Sequence, residues 1–153
     1  MVVQVRRVVT GHDAGGKAVV AIDEVVDYAR SLRPNHSSCV VWATDSHPIN
    51  NSEPGDARLK PVVNGTPNST ILRVVEYGPG VAGRRHRTNS LDYAIIIKGE
   101  IDMELDDGKE VHLKAGDILV QRGTIHNWIN RGTEPCTIAF VLAAAAPVLA
   151  AEG

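Results

Sequence analysis

Aromatic residues, basic charge and long apolar runs are all scarce in this sequence. Phe, Trp and Tyr together make up 4% of the 153 residues, too few for the stacking platform that binds single-stranded nucleic acid. The formal net charge is −2 at pH 7, which argues against a surface for a phosphate backbone. No stretch approaches the roughly 20 apolar residues of a membrane-spanning helix. We therefore expect neither nucleic acid nor a membrane as partner.

Cysteine is scarce as well, and its spacing gives no sign of metal or redox chemistry. The two thiols, Cys39 and Cys136, lie far apart, and neither belongs to a C-x-x-C pair. Isolated thiols of this kind are buried small hydrophobic groups more often than ligands. The N-terminal segment also lacks the continuous apolar core of a signal peptide, so we expect a cytoplasmic protein.

The sequence is rich in short apolar or alternating runs separated by turn residues. From Thr70 onward there are seven such runs: TILRVVEY, SLDYAIIIKG, EIDMEL, KEVHLKAGD, DILVQRG, HNWIN and CTIAFVLA. Several short strands at spacings of about 8–12 residues are typical of a sandwich or barrel, and a double-sheet jelly roll also removes most exposed sheet edges. The sequence therefore predicts an all-β barrel over residues 70–145.

The first 69 residues predict a β-rich arm and a long loop that pack on this barrel. Two β-rich runs flank a turn at 13–16, and a further strand is expected at 37–45. The mixed segment 23–33 predicts one or two helical turns. Residues 46–69 are rich in Pro, Gly, Asn and Ser and predict a loop that is either a functional lid or a flexible edge. The alanine-rich tail, 146–153, is expected to be either a short helix or frayed.

Two glycine-bounded segments carry the candidate site residues. The first reads Gly80-x5-His86-x-Thr88-x3-Asp92-x6-Gly99. The second contains, in order, Gly116, Gln121, Gly123, His126 and Asn130. These segments resemble the two motifs of the cupin superfamily, G-x5-H-x-H-x3/4-E-x6-G and G-x5-P-x-G-x2-H-x3-N. In this chain Thr88 replaces the second His of the first motif, and Asp92 replaces its Glu. Gln121 replaces the Pro of the second motif, and the segment before Gln121 is one residue shorter than in the family motif.

The resemblance implies a single-domain cupin, a double-stranded β-helix whose barrel interior holds the site. Family members place three His and one Glu around Mn, Fe, Ni, Zn or a similar divalent ion. Here that implies a metal site of His86, Asp92 and His126, since two imidazoles and one carboxylate suffice for an open facial triad. Thr88 is a poor ligand beside imidazole, and Asp92 reaches about 1.5 Å less than a Glu.

A metal-free site is the alternative. Asp92 would then orient His86 or His126, and the His–Asp pair would act as general base or acid. Expected substrate contacts are Thr88, Trp128, Gln121 and Trp42, although a Trp facing a barrel interior is more often core than ligand contact. Three arginines near His86 either attract a carboxylate substrate or form a solvated turn balanced by nearby acids: Arg84, Arg85 and Arg87.

The resemblance also implies tailoring chemistry on a small molecule. We expect an enzyme that acts on an organic acid or polyketide-like intermediate, by decarboxylation or dehydration through His/Asp acid–base catalysis, with or without metal assistance. The alternatives are a metal-dependent oxidoreductase or isomerase of the same fold and a non-catalytic ligand-binding cupin. Family members commonly pair through sheet edges and an N-terminal strand, so a homodimer is expected.

Overall fold

The computed structural model describes residues 4–27 and 29–149. Within these ranges the regular structure consists of eleven strands and two single turns of 3-10 helix, at Ala57–Leu59 and Asp106–Gly108. The strands are β1 (Gln4–His12), β2 (Ala18–Asp27), β3 (Ala29–Arg30), β4 (His36–Thr44), β5 (Thr70–Tyr77), β6 (Ser90–Lys98), β7 (Glu100–Glu104), β8 (Glu110–Lys114), β9 (Ile118–Arg122), β10 (Asn127–Ile129) and β11 (Cys136–Ala144). The predicted all-β class is confirmed, and each of the seven runs from Thr70 onward contains a strand.

Two antiparallel sheets form the jelly roll, and a separate hairpin lies outside it. The larger sheet has the order β3-β4-β5-β11-β6-β9, and the smaller has the order β10-β7-β8. The main core lies between them and includes Ile96 and Ile138 from the larger sheet and Ile101 and Met103 from the smaller one. All four are at most 3% exposed, so the space between the two sheets is densely packed in this region.

Strand β5 shows how alternation divides the larger sheet into two faces. Ile71, Val75 and Tyr77 belong to the main core, whereas Val74 packs on the opposite face. On that outer face, Val74 and Cys39 are covered by Val26 of the hairpin β1–β2. The larger sheet is therefore buried on both sides in this region, which explains why its strands are rich in apolar residues.

The helical turns predicted for 23–33 are wrong. Strand β2 continues to Asp27, which pairs with Gln4 at the far end of the hairpin, and β3 follows at Ala29–Arg30. The β-branched Val25 and Val26 favour a strand, and Val26 is buried against the larger sheet. Long-range pairing with β1 thus overrides the weak local helical pattern.

The long loop and the C-terminal segment have little regular structure. The single turn Ala57–Leu59 interrupts residues 45–69, and the Asp56 side chain caps it by accepting a hydrogen bond from the Arg58 N–H. Residues 145–149 follow β11 without a helix, and the end of the predicted tail lies outside the described residues. Within the described ranges, the structure has no helix with the length and apolarity needed to cross a membrane.

Candidate functional site

The two motif histidines meet inside the barrel. The His86 N–H donates to the His126 carbonyl and the His126 N–H donates to the His86 carbonyl, each over 3.1 Å. The two imidazole centroids lie 4.6 Å apart with a 52° angle between the rings. Backbone pairing therefore brings together two side chains that are 40 positions apart in the sequence.

Hydrogen bonds fix which nitrogen of each imidazole is free. Nδ1 of His86 lies 3.0 Å from the Arg84 carbonyl, and Nδ1 of His126 lies 2.9 Å from the Thr124 carbonyl. A carbonyl only accepts, so each Nδ1 carries the proton in the neutral ring and each Nε2 keeps its lone pair. Burial lowers the pKa of His126, which keeps its ring neutral at physiological pH and leaves Nε2 free to accept a proton.

Asp92 is the buried acid of the site. It is 6% exposed, and the Ser90 hydroxyl donates to its Oδ1 over 2.6 Å. Thr88 Oγ1 lies 2.8 Å from Ser90 Oγ, so Thr88 donates to Ser90 and completes a relay from β6 to the motif turn. Burial raises the pKa of Asp92, while the Ser90 hydrogen bond and the charges of His126 and His86 partly oppose that rise. Thr88 thus belongs to the site through Ser90, a residue that the motif comparison missed.

Gln121 and Trp128 also face the site. Gln121 is the direct cross-strand partner of Asp92, is 4% exposed, and donates from Nε2 to Thr124 Oγ1. Its buried Oε1 has no hydrogen-bond partner among the described residues. Trp128 is 4% exposed, and its ring lies 6.2 Å from that of His126. Trp128 is therefore both a core residue and a wall beside the histidines.

Trp42 lies elsewhere. It lines a cavity of about 670 Å³ between the end of the N-terminal hairpin, β4 and the long loop. His12 and Lys60 line the same cavity, whereas neither motif histidine does. The structure therefore separates Trp42 from the other predicted substrate contacts.

The arginines around His86 have different surroundings. Arg85 forms ion pairs with Glu104 at 3.1 Å and with Asp106 at 2.7 Å, as expected for a solvated turn balanced by acids. Arg84 and Arg87 are exposed. Arg73 on β5, which the motif comparison missed, shares the inward face of its strand with Ile71 and Val75. Its position between Ile71 and Val75 in an alternating strand was the available signal.

The donor set fits a divalent ion only in part. Two imidazole nitrogens are free, which suits an ion such as Zn or Fe. The Thr88 hydroxyl and Asp92 Oδ1 are both engaged with Ser90. Among residues 4–27 and 29–149, no three His, Cys, Asp or Glu side chains are arranged to hold a metal ion. In this arrangement the site is a histidine pair with a separately bound acid.

The sequence matches a known family model and several curated relatives. The Cupin domain family model (Cupin_2) matches residues 73–142. A cupin-domain-containing oxidoreductase of Aspergillus ruber is 34% identical over 154 residues, covering 91% of this chain and 72% of the relative. The phomopsin biosynthesis cluster protein C' of Diaporthe leptostromiformis is 34% identical over 151 residues, covering 93% of this chain and 79% of the relative.

Solved structures share the fold at low sequence identity. KdgF from Halomonas sp. matches with a TM-score of 0.53 and 16% identity, over 77% of this chain and 88% of that chain. A putative ethanolamine utilization protein of Salmonella typhimurium matches with a TM-score of 0.52 and 12% identity, over 94% of this chain and 99% of that chain. These likenesses support the architecture described above and carry no information on the reaction.

Proposed function

Because this chain belongs to the cupin family, we propose that it is a small-molecule tailoring enzyme whose chemistry is proton transfer inside the barrel. The proposed substrate is an organic acid or polyketide-like intermediate, and the proposed reaction is decarboxylation or dehydration. The curated relatives include a biosynthesis cluster protein, which supports a role in tailoring. The observation that carries the proposal is the presence in one site of a buried, neutral histidine and of a buried carboxyl group with a raised pKa, which is bound separately through Ser90.

In the proposed dehydration, Nε2 of His126 removes a proton from the carbon next to a substrate carbonyl, and the hydroxyl on the neighbouring carbon leaves as water. In the proposed decarboxylation, the substrate carboxylate leaves as carbon dioxide and no proton is removed from carbon. The Nδ1–H bond of His126 to the Thr124 carbonyl holds the ring in the orientation and tautomer that proton removal needs. His86 lies beside His126 and offers a second Nε2 to the same space. Its hydrogen bond to the Arg84 carbonyl fixes its ring in the same way.

Asp92 supplies the acid of the same mechanism. Its raised pKa favours the protonated form, which can give a proton to a leaving hydroxyl or to a carbanion left by loss of carbon dioxide. Ser90 holds one of its oxygens in place, and Thr88 holds Ser90. The unpaired Oε1 of Gln121 lies on the adjacent strand, where it can accept a hydrogen bond from a substrate hydroxyl or from protonated Asp92.

Hydrogen–deuterium exchange tests this proposal without knowledge of the natural substrate. A panel of β-keto and β-hydroxy acids is incubated with the protein in deuterium oxide, and label uptake, carbon dioxide loss and water loss are followed by mass spectrometry. We expect His126→Gln to slow exchange by about 100-fold or more. The matched control is His112→Gln, because His112 lies exposed on β8. Exchange in the wild type that survives His126→Gln removes His126 from the mechanism, and ligand retention without exchange supports the non-catalytic alternative.

A metal-dependent oxidoreductase is the second candidate function, favoured by the name of the Aspergillus ruber relative. His86 and His126 would be its ligands from this chain. From the incomplete donor set we expect less than one tightly held divalent ion per chain after dialysis without chelator. Elemental analysis of wild type, His86→Gln and His126→Gln decides the point. One dialysis-resistant ion per chain, lost in both variants, would favour the second candidate.

We also propose that the protein is a cytoplasmic homodimer. The N-terminal hairpin exposes apolar side chains that a second copy can cover, since Val20 is 61% exposed and Val25 is 57% exposed. Analytical ultracentrifugation of the wild type and of Val20→Lys tests the dimer. A wild-type monomer at micromolar concentration contradicts it.

A further inference from the structure

Arg73 faces the barrel interior. It lies between Ile71 and Val75 on β5, and both of these neighbours belong to the main core. In the sheet register Arg73 lies opposite Phe140 of β11, which in turn lies opposite Ala94 of β6. Phe140 and Ala94 are inward core residues, so the guanidinium stem leaves the sheet on the inner side.

The guanidinium of Arg73 has no partner within the described residues. It forms no ion pair and no side-chain hydrogen bond there, and its Nε is fully buried. Arg73 is half-buried, and a buried guanidinium nitrogen without a carboxylate or carbonyl partner is unusual, because removing its charge from water is costly. A cation held in this way is positioned for an anion that arrives from solution.

The electrostatic surroundings favour an anion at this end of the barrel. Burial lowers the pKa of His36 to about 4, and the charges of Arg33, Arg73 and Arg84 add to that effect. The same three arginines act on the buried Tyr77 hydroxyl. Both groups therefore lie within reach of three arginine charges, which favour an anion near them.

An aromatic wall connects Arg73 with the histidine pair. Phe140, the direct neighbour of Arg73, lies 5.7 Å from the Trp128 ring, and Trp128 lies 6.2 Å from His126. The Cα atoms of Arg73 and Asp92 are separated by two strand spacings across the sheet and by two residues along the strand. Together these give a distance of roughly 12 Å. The arginine side chain spans about half of that distance, so a ligand that reaches from the guanidinium to the site has to bridge roughly 6 Å.

From these observations we propose that Arg73 binds the carboxylate of a flat organic acid whose body lies on Trp128 and Phe140 and whose reacting carbon lies at His126. The substrate is then a carboxylic acid with a planar, conjugated or aromatic body. The position of the reacting carbon rests on the proposed function. The carboxylate contact stands on the placement of Arg73 alone.

Binding of 2-naphthoate and of its neutral analogue 2-naphthamide tests the carboxylate contact. Isothermal titration calorimetry measures both probes on wild type, Arg73→Gln, Arg73→Lys and the matched control Arg122→Gln, which removes one charge from an exposed side chain on β9. We expect the wild type to bind the acid more tightly than the amide. Arg73→Gln should weaken binding of the acid by about tenfold or more, which is the scale of a charge-assisted hydrogen bond. The affinity for the amide should change by less than about twofold. Arg73→Lys should recover part of the acid affinity, and Arg122→Gln should change neither.

Two further readouts separate the possible failures. Thermal unfolding of ligand-free Arg73→Met should show a Tm equal to or above that of the wild type, because the variant removes an unpaired, partly buried charge. A marked fall in Tm would indicate a structural role and overturn the proposal. So would a wild type that binds the acid no better than the amide, or binds neither at millimolar concentration. If His126→Gln loses exchange but still binds the acid, the result supports the proposed function independently of the Arg73 contact. If the wild type binds the acid but shows no exchange, the proposed function is refuted and the Arg73 contact still holds.

Discussion

Two arginines on opposite sides of the larger sheet have contrasting surroundings. Arg7 lies outside, where the N-terminal hairpin meets the long loop, and is 3% exposed. Its guanidinium donates to Glu24 over 2.6 Å, to both oxygens of Asp56 and to the Val41 carbonyl. Arg73 lies inside the barrel and has no such partner within the described residues. The outer arginine ties three segments of the chain together, and the inner one is left for a ligand.

The same contrast separates the two amides of the second motif. Asn130 donates to the Tyr77 and Glu134 carbonyls over 2.9 Å each and accepts from the Gly132 N–H over 2.9 Å. Gln121 keeps a buried carbonyl oxygen without a partner within the described ranges. Buried polar groups therefore include a satisfied set, to which Arg7 and Asn130 belong, and an unsatisfied set. Among the described residues the unsatisfied atoms are Arg73 Nε, Gln121 Oε1 and Thr44 Oγ1, the last of which lies beside the loop cavity.

The largest effect on stability should come from breaking the satisfied set at Arg7. Arg7→Met leaves Asp56 and Glu24 without their cation, and we expect the free energy of unfolding to fall by about 3 kcal/mol. Urea unfolding followed by circular dichroism measures it. The control is Arg6→Met on the same hairpin, because the Arg6–Asp23 pair is exposed and should contribute far less. Equal losses in the two variants would show that burial does not distinguish them.

The second prediction concerns Asp92, whose pKa burial raises. The folded protein then binds more protons than the unfolded chain between the ordinary carboxyl pKa and the raised one, so stability declines as pH rises through that window. Asp92→Asn removes this decline while keeping an oxygen for the Ser90 hydroxyl. We expect a gain of about 1 kcal/mol at pH 7 that vanishes near pH 3. A loss of stability at pH 7 would show that the hydrogen bonds of the Asp92 carboxylate contribute more than its burial costs.

The strands and the position of the histidine pair could be predicted because both depend on local spacing. The alternation of apolar and polar residues predicted strands β5 to β11. The motif spacing predicted that His86, Asp92 and His126 belong to one site. Segment 23–33 was wrongly predicted because its strand is stabilised by pairing with β1, which no local pattern records. Whether a buried group is satisfied is likewise a property of distant residues, so the difference between Arg7 and Arg73 emerges only in three dimensions.

The placement of Trp42 illustrates a second limit. Val40 packs towards the inner core, so strict alternation would also turn Trp42 inward. The pairing of β4 with β5 shifts by one residue between Val40 and Trp42. This bulge brings Ala43 into the inner core and leaves Trp42 beside the loop cavity. A single extra residue in a strand reverses every later inward assignment, and the amino-acid types around it give no warning.

The third prediction uses His36, which lies near Arg73. Its pKa is lowered to about 4, chiefly by burial, so the folded protein binds fewer protons than the unfolded chain between about pH 4 and 6.5. Stability is then lost as pH falls through this window, and we expect His36→Gln to reduce that loss by roughly 1–2 kcal/mol. Denaturant titrations at pH 7 and pH 4 measure the difference. His12→Gln serves as the exposed control. An unchanged pH dependence would mean that His36 is not held neutral by its surroundings.

The smallest effect should come from Arg131, which is paired yet exposed. Its guanidinium donates to Asp102 over 2.8 Å and to Glu110 over 2.7 Å, while the side chain remains 54% exposed. Water and salt screen such pairs, so we expect Arg131→Gln to shift Tm by at most about 2 °C and the shift to disappear in 1 M salt. Differential scanning calorimetry at low and high salt measures it. A salt-resistant shift as large as that of Arg7→Met would mean that pairing alone, without burial, makes an arginine structural in this fold.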